Sequence, residues 1–338
     1  MRFLSDNTGA ASPEMLNALV EVNHGLVTAY GTDAWTRKLD DCLSTYFAAP
    51  VRAFPVSTGT AANSLSIATL SPSYGVIFAH EEAHIANDEA GAPGFFTAGA
   101  QLSLIQAPDG KVTPAALTAA LDAHPVSVHT TQPTVLALSQ ATELGTAYRP
   151  EELTAICKIA HDRGLKVQMD GARFANAVAF LDCHPGDVTW RAGVDVLSFG
   201  ATKNGALTAE AVVFFDPDLV RDFELRRKQS GHLLSKSRYI SAHLLAYVET
   251  GLWLRNAQRT NGFAQQIGRA AGKMLMHPVE ANEIFLALGQ ERKVALRQQG
   301  FEFYDWNMPS SGQARFVVSW DQQEEDVRAL CAALERLR

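Results

Sequence analysis

The chain has 338 residues, 47% of them hydrophobic, and a formal net charge of -7, so its length admits two domains and its composition a large buried core. The acidic balance gives no electrostatic footprint for nucleic acid or an anionic membrane surface, and the apolar runs fall short of the roughly 20 residues that span a bilayer. Cys42, Cys157, Cys183 and Cys331 lack the pair spacing of a zinc or redox site, and the amino terminus turns polar at once. The expectation is therefore no metal, no export signal and a reducing, cytoplasmic setting.

Between residues 50 and 215, short β-rich runs at 52–56, 76–79, 127–130, 135–138, 165–169, 194–199 and 211–215 alternate with helical stretches, the pattern of a mostly parallel sheet covered by helices. The clearest helix starts at Pro150, carries Glu151 and Glu152 in its first turn, repeats Leu153, Ile156, Cys157 and Ala160 on one face and stops at Gly164. Beyond residue 217 the texture becomes helical, charged over 218–228 and apolar over 239–253. The last part predicts strand 284–287, helix 289–299, strands 301–304 and 315–320, and helix 324–337. The spacing predicts a large α/β domain over 1–245, amino-terminal segment included, and a small α/β domain over 246–338.

Chemistry-bearing residues cluster at the ends of these runs. Ser57-Thr58-Gly59-Thr60 follows the first strand and opens an apolar helix, an arrangement that offers hydroxyls and free backbone N–H groups to a phosphate. His84 lies just past the run ending at 79. Asp170, in Asp170-Gly171-Ala172-Arg173, closes the strand 165–169, where open α/β sheets bind ligands at their carboxyl edge. Lys203 stands in a small-residue turn after the strand 194–199, with Gly200 and Ala201 letting the backbone approach closely. A lysine for an aldehyde, an aspartate for a ring nitrogen, a helix start for a phosphate and a flat ring for a ring face together match pyridoxal 5'-phosphate.

In the order and spacing of these motifs, together with Ser5-Asp6-Asn7, Ala29-Tyr30-Gly31-Thr32-Asp33 and Thr202-Lys203-Asn204-Gly205, the chain resembles the low-specificity L-threonine aldolases among the fold type I pyridoxal-phosphate enzymes. The resemblance implies that Lys203 forms the Schiff base, Asp170 pairs with the pyridine nitrogen, His84 stacks on the ring, and Thr58, Gly59 and Thr60 hold the phosphate. It implies Ser5, Tyr30, Arg173 and Arg315 as substrate-binding residues, with Arg173 also near the cofactor, and places a second histidine, His129, near the β-hydroxyl. It further implies a homotetramer, a dimer of dimers with shared active sites. Two stretches depart from the family: Ser-Lys-Gly is Thr202-Lys203-Asn204 here, and a glycine-rich basic stretch is 231–238, which leaves Lys236 and Arg238 as alternatives for the phosphate-facing cation.

The activity so implied is Cα–Cβ cleavage of L-threonine, L-allo-threonine or a related β-hydroxy amino acid such as phenylserine, to glycine and an aldehyde, with His84 or His129 as base at the β-hydroxyl. Trp35, Phe95 and Phe96 fall near motif residues and suggest an aryl substrate. Alternatives are β-elimination, racemisation or transamination on the same fold, or a pyridoxal-phosphate-binding protein without turnover.

Overall fold

A computed structural model describes all residues, Met1–Arg338. Seven strands form the main sheet: β1 (Arg52–Val56), β2 (Gly75–His80), β3 (Gln101–Ile105), β4 (Gln132–Ser139), β5 (Lys166–Gly171), β6 (Val196–Gly200) and β7 (Glu210–Phe214). Their spatial order is β1-β7-β6-β5-β4-β2-β3. Strands β6, β5, β4, β2 and β3 run parallel, while β7 is antiparallel to both its neighbours. Since β1 opposes β7, it shares the direction of the rest. Val56, His80, Ser139, Gly171 and Gly200 therefore end at one edge, and Glu210, opposite both Val56 and Gly200, starts β7 there.

A second sheet pairs β8 (Glu283–Ala287), β10 (Gln313–Val317) and β9 (Tyr304–Asp305), all antiparallel. The helix Pro150–Asp162 buries Leu153, Ile156, Cys157 and Ala160 as their spacing predicts. The helix Gly59–Leu70 is buried along every face from Ala61 to Ala68, as expected of an element packed between the sheet and a further layer.

Three expectations are corrected. Residues 127–130 form a turn, where Thr130 Oγ1 donates to Pro125 O at 2.6 Å and Ser127 Oγ accepts from His129 N at 3.2 Å; hydroxyl-to-backbone bonds outcompete the ladder. Strand β3 is absent from the expected runs although Gln101-Leu102-Ser103-Leu104 alternates polar and apolar residues; it lies at the sheet edge, largely half-exposed or exposed. The division at residue 245 also differs from the packing. Phe3 sits in the small core against Phe301 and Phe316, so the first residues pack with the carboxyl-terminal unit, whereas Met15 is in the large core and Ala18 and Val22 pack with Ala242. The 20-residue helix Leu252–Ala271 serves both cores, Leu252 and Ala257 in the large one, Phe263 to Ala271 in the small. The four cysteines are free, and no helix is long and apolar enough to cross a membrane.

Candidate active site

Two adjoining cavities open at the carboxyl edge of the main sheet. One, of about 470 Å³, is lined by Thr58, Gly59, Thr60, Asp170, Lys203 and Glu210 among others. The second, of about 340 Å³, reaches toward the small domain past Ser5, Glu143, Arg173, Glu283, Trp306 and Arg315. Asn7, His84, Asp88 and Lys203 line both.

At the helix start, Thr58 caps Gly59–Leu70 by accepting from Ala61 N at 3.2 Å, which leaves other first-turn N–H groups free for an anion. Asp170 is 9% exposed and both its oxygens are engaged, one by Asn63 Nδ2 at 2.7 Å and the other by Ala172 N at 2.9 Å. These two donors fix the carboxylate's orientation toward the cavity. The Asn63 amide also donates to Glu89 Oε1 at 2.9 Å, and the same oxygen holds His84 Nδ1 at 2.9 Å. That hydrogen bond raises the His84 pKa above its ordinary value, against desolvation and with help from Asp170.

Lys203 follows β6 in a short turn and is half-buried; no hydrogen bond or ion pair restrains its amine. The close approach expected at Gly200 is real, since a Cβ there would lie 2.9 Å from Ala172 Cα and from Glu210 Oε2. A carboxylate, a free lysine, a helix start and a half-buried imidazole around one cavity fit pyridoxal 5'-phosphate. Glu210, 5% exposed, accepts from Thr202 N at 3.4 Å, and burial pushes its pKa up to about 7. Between its ordinary 4.5 and that value, the folded protein keeps a proton the unfolded chain has lost, so stability falls as pH rises through this window. Glu210→Gln is expected to leave the cofactor-free protein unchanged below about pH 4 and to stabilise it by about 3 kcal/mol near about pH 8, read from thermal melts.

At the small-domain side, Arg173 is committed to the protein. Its Nε lies 2.8 Å from Asp6 Oδ2 and its Nη1 3.2 Å from Glu283 Oε2, with both carboxylates 1% exposed. Burial opposes charge on all three, yet Arg173 and Lys203 hold Asp6 below the usual carboxylate range, whereas burial wins at Glu283 and raises it. Arg315 is freer: its Nη1 stands 4.0 Å from Glu283 Oε1, its Nε has no hydrogen-bond partner, and its guanidinium lies 5.6 Å from the rings of both Tyr304 and Trp306.

The structure thus gathers Lys203, Asp170, His84, Thr58, Gly59, Thr60, Ser5, Arg173 and Arg315. It leaves four expected residues outside the pocket of their own chain. His129 is exposed ahead of β4, at the amino edge, roughly 25 Å of strand away from Ser139. Lys236 is exposed, and Arg238 turns to His24 O at 3.4 Å and stacks on Tyr239. Tyr30 lines a separate cavity beside Arg227, with Lys228 over its ring. Of the aromatics, Trp35 packs beside the core and Phe95 is 79% exposed; the rings facing the site are Tyr304 and Trp306.

Sequence reasoning missed Glu143 and Glu210. Glu143 accepts from Ser139 Oγ at 2.6 Å and from His84 N at 2.9 Å, and burial pushes its pKa up to about 7. The available signal was position: each lies at or just beyond a strand end on the ligand-binding edge.

The sequence pattern of the beta-eliminating lyases matches residues 2–290. A low specificity L-threonine aldolase from Pseudomonas sp. is 44% identical over 336 residues, covering 98% of this chain and 96% of that protein. One from Pseudomonas aeruginosa is 44% identical over 334 residues, covering 97% and 95%. Among solved structures, the threonine aldolase of Leishmania major superposes with a TM-score of 0.92 at 25% identity, covering 99% of each chain.

Proposed function

The chain belongs to the beta-eliminating lyase family, and from that membership we propose that it is a pyridoxal-phosphate-dependent aldolase that cleaves L-threonine and related β-hydroxy amino acids to glycine and an aldehyde. The observation that carries this reading is the convergence of Lys203, Asp170 and the start of the helix Gly59–Leu70 on one cavity at the carboxyl edge. When bound, pyridoxal phosphate supplies an electron sink for a bond broken at Cα.

The protein's own residues hold and orient. Lys203 would hold the cofactor's aldehyde carbon through Nζ, Asp170 would pair with its ring nitrogen, and His84 would support its ring face. Thr58, Gly59 and Thr60 hold the phosphate with hydroxyl and backbone donors. Arg315, the guanidinium with a donor to spare, receives the substrate carboxylate with Ser5 beside it, and Arg173 supports this end through Asp6 and Glu283. Fixing the carboxylate selects which Cα bond aligns for cleavage, so orientation chooses cleavage over elimination or transamination.

Four residues outside their own chain's pocket, Tyr30, His129, Lys236 and Arg238, together with exposed Leu26 and Val128, favour an assembly of copies. We take this to be a homotetramer with shared active sites, in a cytoplasmic setting consistent with free cysteines. Incubation with L-threonine is expected to give glycine and acetaldehyde in equal amounts, measured by amino-acid analysis and a coupled alcohol dehydrogenase assay. Ammonia with a keto acid instead would assign the chain to elimination.

A further inference from the structure

The two arginines at the small-domain side of the cavity are held in different ways. Arg173 commits its donors to the protein, Nε and Nη2 to Asp6 at 2.8 and 3.1 Å, with Nη1 3.2 Å from Glu283. The Arg315 guanidinium makes no such bond: its Nε is buried without a partner, and its Nη1 stops 4.0 Å from Glu283 Oε1. Its surroundings are aromatic instead, with Cζ 5.6 Å over the Tyr304 ring and 5.6 Å over the Trp306 ring.

The register of the small sheet produces this arrangement within one chain. Arg315 on β10 is paired directly with Phe285 on β8 and with Tyr304 on β9, and directly opposed residues share a face. The alternate positions Ile284, Leu286, Ala314 and Phe316 fill the small core, so the row of Phe285, Arg315 and Tyr304 turns the other way, where Tyr304, Trp306 and Arg315 line the cavity. Trp306 is anchored in turn. Its ring meets that of buried Phe285 edge-on, with centroids 4.8 Å apart and planes at 72°, and its backbone N donates to Gln313 O at 3.1 Å.

An aromatic face attracts a guanidinium without using its N–H groups. The in-plane donors then stay free for a carboxylate, whose two oxygens match the guanidinium fork. An acidic partner in the same place would hold Arg315 equally well but would compete with the substrate, and the nearest acid, Glu283, is already paired with Arg173. Resting on the aldolase reading above, we propose that Trp306 and Tyr304 are positioning residues, an aromatic clamp that holds the Arg315 guanidinium with its free edge toward the substrate carboxylate. They act through Arg315 and not on the reacting atoms. Trp306 contributes more, because indole is the strongest of the aromatic partners for a cation and its side chain is half-buried, whereas Tyr304 is 48% exposed.

The test uses the cofactor-loaded protein and two ligands with the same side chain, L-2-aminobutyrate and L-2-amino-1-butanol, in which a hydroxymethyl group replaces the carboxylate. Binding is read from the absorption of the cofactor. In Trp306→Leu, aminobutyrate is expected to bind about 3- to 30-fold more weakly, the range of a cation–π contact, and the KM for L-threonine to rise in step while kcat stays within about threefold. Aminobutanol should bind as it does to wild type. Trp306→Phe keeps an aromatic face and should recover part of the loss, and Tyr304→Leu should show a smaller loss of the same kind. In an Arg315→Met background Trp306→Leu should add nothing, since the group it holds is gone. Wild-type aminobutyrate binding in the double variant W306L/Y304L overturns the clamp. So does equal weakening of both ligands, which would mark a general structural role, or an undiminished effect in the Arg315→Met background. Wild-type protein that binds aminobutyrate but yields no aldehyde from L-threonine overturns the aldolase reading, and the clamp is judged on the binding series alone.

Discussion

Lys203→Ala is expected to lower glycine release from L-threonine by about 1,000-fold or more, since one positioned group contributes about 10²–10⁴-fold and this one also attaches the cofactor. The fold should survive, because the side chain is half-buried and bonded to nothing in the protein. Its turn is held by other atoms: Asn204 Nδ2 donates to Tyr247 Oη at 2.7 Å and to Trp253 O at 2.9 Å. The measurement is the visible absorption of bound cofactor, which should lose the band of the lysine-linked form while circular dichroism stays unchanged. An unaltered band with unaltered turnover would remove Lys203 from the centre of the reaction.

Arg173→Met carries the second large effect, on stability. The substitution keeps most of the side chain's volume but strands Asp6 and Glu283, both 1% exposed, without their shared cation. Breaking a buried ion pair by removing one partner costs about 3–5 kcal/mol, to be read from urea midpoints. Adding Glu283→Gln should recover part of the loss, since one stranded charge is removed, and the double-mutant cycle measures how much. A variant as stable as wild type would mean that the two carboxyls are neutral in the folded protein.

The contrast between these residues shows what was legible in the chain. Lys203, Asp170 and Thr58 each follow directly on an apolar run, and a parallel sheet delivers such positions to one edge, so local pattern sufficed. The same rule disfavours His129, which precedes its strand. Asp6, Arg173 and Glu283 come from three segments, with 167 residues between the first two, and no local pattern announces that they will share a charge. Glu143 reads as an ordinary loop acid until burial is known. The domain boundary was obscured for a related reason: the helix Leu252–Ala271 runs unbroken through both cores, so composition does not change where the packing does.

The amino-terminal segment has a consequence for how the protein is made. Phe3 takes its place against residues 301 and 316, and Asp6 accepts from Asn282 at 3.0 Å, 276 residues later. At translation rates of about 5–20 residues per second, the first residues wait roughly 14–55 s for their partners to be synthesised. During that interval the nascent chain can assemble its main sheet and the lysine turn and can pair Asp6 with Arg173, but Phe3 still lacks its aromatic partners. Completion of the active site therefore waits for residues 282 and 283, more than 270 residues after Asp6.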